Sequence, residues 1–146
     1  MTIILRQAMQ HEAKDLLQLV GKAGLQSEGI KDSIENYLVV VNDEGETIGT
    51  VGLERIGNDG LLRSFVLKQK YSSESLLLKL IDKILVYSKD KGVETLYLLT
   101  KAVHMFEALS FKVIPKDKVP PHIENADHVK NNAASGAELL AYALDS

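Results

Sequence analysis

Residues 61–100 hold the pattern that most constrains this chain. Leu61-Leu62-Arg63-Ser64-Phe65-Val66-Leu67 is a short, almost wholly apolar run. Lys68 to Ser73 breaks it, and then Leu76, Leu77, Leu80, Ile81, Ile84 and Leu85 recur at helical spacing before Gly92. That period is one face of a helix, and glycine is common just past a helix end. Thr95-Leu96-Tyr97-Leu98-Leu99-Thr100 is a second run of the buried-strand type. Strand, long helix and strand in that order make a βαβ unit. Strands 61–67 and 95–100 are therefore expected to be parallel and joined by a right-handed crossover. A strand that feeds a helix start also makes an anion site. The first helical N–H groups lack internal partners, and the peptide dipoles add there.

Around this unit the chain alternates short elements. Thr2 to Leu5 reads as a first strand, and His11 to Ala23 as an amphipathic helix ended by Gly24. Ile30 to Asn36 is compatible with a second short helix. Tyr37 to Val41 and Thr47 to Ile56 are β-prone runs separated by Asn42-Asp43-Glu44-Gly45-Glu46, a turn by composition, so they predict a hairpin. Gly57 to Gly60 is the next turn. Val103 to Leu109 reads as a helix and Phe111 to Ile114 as a strand ended by Pro115. Val119 to Asn132 is polar and irregular, with room for a helical turn after Pro120-Pro121. Ala137 to Leu144 is apolar and fits strand or helix by pattern alone. The expectation is an α/β (α+β) fold: a mixed sheet of six to seven strands, about four flanking helices, and a central parallel pair.

Composition narrows the function classes. A chain of 146 residues with 45% hydrophobic content is expected to be a single domain over residues 1–146, burying roughly 70% of its unfolded surface. A net charge of −3 offers no basic surface for nucleic acid. Lys68, Lys70, Lys79, Lys83, Lys89 and Lys91 gather near the long helix, but Glu74, Asp82 and Asp90 interleave them, as on a solvated face. There is no cysteine, which removes disulfides and thiolate chemistry. His11, His104, His122 and His128 form no His-x-x-x-His pair, so no metal is expected. No apolar run reaches the ~18 residues of a membrane span, and no signal-peptide pattern opens the chain. A cytoplasmic protein without a membrane partner is expected.

The order of elements, together with Gly52-Leu53-Glu54, Leu61-Leu62-Arg63-Ser64, Leu98-Leu99-Thr100, Phe106-Glu107-Ala108-Leu109-Ser110-Phe111 and Val119-Pro120, resembles the GNAT superfamily of N-acetyltransferases. The branch it looks like holds the arsenic-resistance-associated acetyltransferases and, more distantly, the N-acetylglutamate synthases. The resemblance implies acetyl-CoA as cosubstrate, lying between the splayed strands 61–67 and 95–100. It implies backbone pairing of Val66 and Leu67 with the pantetheine, and direct transfer to an amine. Thr100 and Phe106 join the cofactor-binding set by the same resemblance.

The pyrophosphate motif of that superfamily, Arg/Gln-x-x-Gly-x-Gly/Ala, is degenerate here. Its place is taken by Ser72-Ser73-Glu74-Ser75-Leu76-Leu77. Serine stands for the basic residue at Ser72 and for glycine at Ser73. Ser75 and Leu77 fill the next two small-residue positions. A Cβ at each of these places hinders close approach of backbone N–H groups to phosphate. Glu74 pointing inward costs roughly 1–3 kcal/mol per phosphate charge. Ser72 or Ser73 as an N-cap, with Glu74 in the first turn, also explains the segment without any ligand. Phe106 stands where many relatives place a tyrosine as general acid, and Ser110 where they place glycine.

Two residues are the catalytic candidates. Glu54 can act as general base, directly or through water, or simply pair with Arg55 or Arg63. Arg63, a lone charge in an apolar strand, suits a substrate carboxylate or bonds Glu54. Three functional readings follow. One is an acetyl-CoA-dependent N-acetyltransferase acting on a small amine or amino-acid-like acceptor. The alternative is a GNAT-fold binding or regulatory protein that has lost acetyl-CoA binding. The third is a structural homodimerisation module built on the C-terminal strand.

Overall fold

The structure is a computed structural model that describes residues 2–22, 34–71, 73–132 and 135–144. Seven strands are seen among the described residues: β1 (Ile3–Gln7), β2 (Tyr37–Asn42), β3 (Thr47–Ile56), β4 (Asp59–Leu67), β5 (Thr95–Thr100), β6 (Lys112–Val113) and β7 (Glu138–Ala143). Five α-helices accompany them among the described residues: α1 (Ala13–Lys22), α2 (Glu74–Asp90), α3 (Val103–Ala108), α4 (Pro121–Glu124) and α5 (Asp127–Asn131). The strands make one mixed sheet in the order β1-β2-β3-β4-β5-β7-β6.

The fold class expected from the sequence is the one observed. β4 and β5 are parallel, through Gly60↔Leu96, Leu61↔Tyr97 and Leu62↔Leu98. Their pairing ends there, before either strand does. β7 runs antiparallel to β5 along its whole length, from Thr95↔Ala143 to Thr100↔Glu138.

Several boundaries differ from the sequence reading. The turn before β4 shrinks to Gly57 and Asn58, because Asp59 and Gly60 already belong to the strand. The stretch 119–132 is not irregular, since it carries α4 and α5. Pro121 opens α4, where its missing N–H costs nothing. The segment Ile34–Asn36 is a single 3-10 turn. The expected helix start at Ile30 and the stop at Gly24 lie outside the described residues. The run 137–144, ambiguous by pattern, is a strand because β5 and β6 both pair with it. The C-terminal strand therefore lies inside the sheet, with Lys112, Val113 and the N–H of Ile114 covering its far side. It offers no free edge over Leu139–Ala141 for a second copy.

The chain divides into two compact units. The first comprises Met1–Leu53 and Ser64–Tyr87. Its core joins Leu16 and Val20 of α1 to Tyr37, Val39 and Val41 of β2 and to Val66 of β4. Alternate β2 residues meet successive turns of α1, which is what strand period 2 and helix period 3.6 allow. Helix α2 buries Leu76, Leu80, Ile81 and Ile84, the face its periodicity announces.

The second unit comprises Glu54–Arg63 and Ser88–Ser146. Leu61, Tyr97 and Leu139 of the sheet pack there with Ile123 and Ala126, and Val129 lies against them. His122 of α4 bonds the Asp59 carboxylate at 2.7 Å. The C-terminal end of α2 closes through Val93 N–H to the Ser88 carbonyl, with Gly92 at φ 82 between them. A side chain there would be strained, so the glycine is fixed by backbone geometry.

Candidate functional site

The turn between β4 and α2 is built from three local features. A 3-10 turn, Gln69–Tyr71, leaves the strand. Ser73 then caps α2: its Oγ accepts the N–H of Leu76 at 3.2 Å, and its carbonyl accepts that of Leu77 at 3.0 Å. Glu74 is exposed in the first helical turn, where the dipole favours an acid. Lys70, Tyr71, Ser73, Ser75, Leu76 and Lys79 surround a cavity of about 240 Å³. Two lysines thus line the cavity beside the first two turns of a 17-residue helix. Charge and helix field have the same sign there, and both favour an anion.

A fixed wall supports this cavity. The Tyr71 hydroxyl donates to Glu46 Oε1 at 2.7 Å, and Lys68 Nζ lies 3.6 Å from Oε2. Glu46 belongs to the β2–β3 turn, which Asn42 closes by accepting the N–H groups of Glu44 and Glu46 at 3.0 and 2.9 Å. The tyrosine bond holds the Glu46 carboxyl below the usual range, with the Lys68 charge acting the same way against burial. The same bond raises the Tyr71 phenol. Lys70 Nζ sits 5.6 Å from the Tyr71 ring centroid, a cation–π distance.

Of the expected cofactor residues, Ser73 and Ser75 line this cavity. Leu77 is half-buried and is not among the lining residues; its neighbour Leu76 is. Ser72 lies outside the described residues. Val66 is buried in the first core, and Leu67 follows it at the end of β4. Both press against β3 at a bulge: Val40 pairs with Gly49 and Val41 with Thr47, so Ile48 is the extra residue. A Cβ on Gly49 would stand 2.5 Å from the Val66 carbonyl oxygen and 2.8 Å from a Leu67 methyl. The absent side chain of Gly49 therefore sets the position of Val66 and Leu67.

The two catalytic candidates meet in the second unit. Arg63 Nη1 lies 3.3 Å from Glu54 Oε1, with side chains 19% and 32% exposed. Arg63 Nε is buried and has no hydrogen-bond partner among the described residues. Of the two open readings of the sequence, the pairing of Glu54 with Arg63 is the one observed. His128 of α5 is the third member. Burial pushes its imidazole down to about 4, and the nearby Arg63 charge acts the same way. It is neutral at pH 7.

Thr100 and Phe106 have structural partners in the second unit. Thr100 Oγ1 accepts the N–H of Ala102 at 2.9 Å and shapes the turn into α3. Phe106 is buried edge-on to Phe111, ring centroids 5.6 Å apart. It presents hydrocarbon and no proton. Ser110 takes φ 75 at the end of α3, the conformation that suits glycine. His104 is fully exposed beside Glu107.

The sequence reading missed Tyr71, Lys79, Gly49 and His128 as site-forming residues. Lys79 was legible, being four residues after Ser75 and so on the same helical face. The other three depend on pairings distant in sequence.

Residues 6–111 match the model of the acetyltransferase (GNAT) family. The uncharacterized protein YwlB of Bacillus subtilis (strain 168) is 26% identical over 141 residues, covering 93% of this chain and 94% of that protein. Among solved structures, Rv2747 from Mycobacterium tuberculosis in complex with CoA superposes with a TM-score of 0.76 at 15% identity, covering 96% of this chain and 98% of that one. N-acetylglutamate synthase from Neisseria gonorrhoeae, complexed with coenzyme A and N-acetyl-glutamate, superposes at 0.78 and 16% identity over 100% of this chain. The match covers 36% of the synthase chain. No described helix is long and apolar enough to cross a membrane, and no described group of acidic or histidine side chains could hold a metal.

Proposed function

The chain belongs to the acetyltransferase (GNAT) family, and on that premise we propose that it transfers an acetyl group from acetyl-CoA directly to the amine of a small acceptor. Within the family we assign it to the branch of the arsenic-resistance-associated acetyltransferases and N-acetylglutamate synthases, on the motif residues around Glu54, Arg63, Thr100 and Phe106. The observation that carries the reading is the cavity at the start of α2, where Lys70 and Lys79 flank Ser73 and Ser75.

Those residues fit a pyrophosphate. The lysines supply the charge that serine at position 72 does not, and the serine hydroxyls can donate to phosphate oxygens. Val66 and Leu67 offer the backbone for the pantetheine. Acetyl-CoA supplies an acyl group already activated as a thioester.

The remaining work falls to this chain's side chains. An amine attacks only as the free base, so the acceptor ammonium must first lose a proton. Glu54 takes it, directly or through water, and the neighbouring Arg63 positions the acceptor. Phe106 gives no proton to the departing thiolate, which is therefore protonated from solvent.

One observation favours the second reading, a binding or regulatory protein without acetyl-CoA affinity. The Ser73 hydroxyl already accepts the Leu76 N–H, so one free donor of the helix start is spent. Calorimetric titration with acetyl-CoA separates the two. Binding that weakens with salt, and that drops ~10–100-fold in Lys70→Ala/Lys79→Ala, is expected for charged phosphate contacts. No heat of binding at any accessible concentration would assign the protein to the second reading.

A further inference from the structure

We infer that Tyr71 is a positioning residue of the anion site: its phenol occupies the Glu46 carboxylate and so keeps the charge of Lys70 for the ligand. This rests on the pyrophosphate reading of the cavity above and adds a residue that controls how strongly the cavity binds.

Tyr71 faces two groups of opposite charge. It lines the cavity together with Lys70 and Lys79. Its hydroxyl donates to Glu46 Oε1 at 2.7 Å, and Asn42 Nδ2 donates to the same oxygen at 3.4 Å. The second oxygen, Oε2, lies 3.6 Å from Lys68 Nζ. Both oxygens of Glu46 are therefore engaged, and Glu46 is not among the residues that line the cavity. The Asn42 carbonyl oxygen of the side chain accepts the Glu46 N–H at 2.9 Å, which fixes the backbone from which the acid reaches out.

An acid in this place competes with an anionic ligand. Lys70 is near enough for its charge to help lower the Glu46 pKa. Yet no carboxylate among the described residues lies within ion-pair distance of Lys70. Its Nζ stands over the Tyr71 ring instead, 5.6 Å from the centroid. A cation–π contact leaves the ammonium its N–H donors, whereas an ion pair with Glu46 would spend them and cancel the charge. The ring face thus carries the base while the hydroxyl at the ring's far end carries the acid. One side chain keeps apart two groups that attract each other. Phenylalanine would hold Lys70 equally well and would release Glu46, whose side chain is 41% exposed and has room to turn. At that exposure solvent screens the pair, so the effect on binding is modest and measurable.

The test is calorimetric and needs no turnover. The intact protein is titrated at low salt with acetyl-CoA and, separately, with inorganic pyrophosphate. Tyr71→Phe keeps the ring and the net charge and loses only the donor. The dissociation constant of each probe that the parent binds is expected to rise about threefold or more, the size a partly exposed charge contact supports. Adding Glu46→Gln removes the competing charge without restoring the bond, and should return the constants to the parent value or below. Glu46→Gln alone should tighten binding less than it does beside Tyr71→Phe, because the intact phenol already holds that residue. In Lys70→Ala the tyrosine change should have no further effect, since both act through one charge. Unchanged constants in Tyr71→Phe overturn the inference. So does a loss that Glu46→Gln does not rescue, or one that persists in full in Lys70→Ala, because either would make Tyr71 a structural wall only. If acetyl-CoA binds while these variants fail to behave as stated, the acetyl-transfer reading stands without the inference. If pyrophosphate binds with the stated pattern and acetyl-CoA does not, the inference stands and the acetyl-transfer reading falls. A parent that binds neither probe overturns both.

Discussion

The phenol of Tyr71 donates a 2.7 Å hydrogen bond to the carboxylate of Glu46, 25 residues earlier in the chain. The bond joins the turn before α2 to the β2–β3 turn and is the largest cause of the low Glu46 pKa. A carboxyl depressed in the folded state adds stability above its unfolded pKa and loses it as pH falls through the folded value. Tyr71→Phe removes the donor. The Glu46 titration midpoint, followed by carboxyl carbon NMR, should then move up toward the ordinary glutamate range. An unmoved midpoint would show that the Lys68 and Lys70 charges and the Asn42 hydrogen bond set it.

His128 gives a second pH signature with its own window. Its folded pKa of about 4 lies below the ordinary 6.5. The unfolded chain therefore binds the extra proton between these values, and folding stability falls as pH drops from about 6.5 to 4. Urea midpoints across that range should decline, and they should decline less in His128→Asn. A normal imidazole titration near 6.5 in the folded protein would contradict the burial seen here.

Gly49→Ala tests the close approach of β3 to β4. The new methyl would meet the Val66 carbonyl at 2.5 Å, and backbone yields less readily than a side-chain end. A loss of about 1–3 kcal/mol in urea unfolding is expected, as for other overpacked sites. If Val66 and Leu67 hold pantetheine, acetyl-CoA affinity should fall as well. A variant as stable as the parent would mean that the bulge at Ile48 absorbs the strain.

Ser110→Gly should act in the opposite direction. Ser110 holds φ 75 while the N–H of Phe111 closes the end of α3 on the Phe106 carbonyl at 3.0 Å. A left-handed conformation costs a non-glycine residue ~1–2 kcal/mol, partly offset by the larger unfolded-state entropy of glycine. A net gain of about 0.5–1 kcal/mol is expected from chemical denaturation. Destabilisation would indicate that the Ser110 side chain contributes more than its backbone strain costs.

The local sequence carried most of the architecture. Alternating and helical apolar spacings located β3 and β5 to the residue, because those periods depend only on which side faces a core. The strand, helix and strand of residues 61–100 required a parallel pair, since a crossover helix cannot join antiparallel neighbours in one step.

Other features were settled by partners far along the chain. Residues 137–144 fit strand or helix until β5 and β6 claimed their backbone groups. Between the adjacent leucines 76 and 77, the phase of α2 decided which one lines the cavity, and a one-residue difference turns a helix by about 100°. The candidate site followed the same division. Arg63 stood out in sequence because a lone charge in an apolar strand needs a partner. That the partner is Glu54, that Arg63 Nε is left without one among the described residues, and that His128 stands near enough to feel the Arg63 charge depend on the tertiary structure. No local period encodes them, because they arise where separate segments desolvate one another.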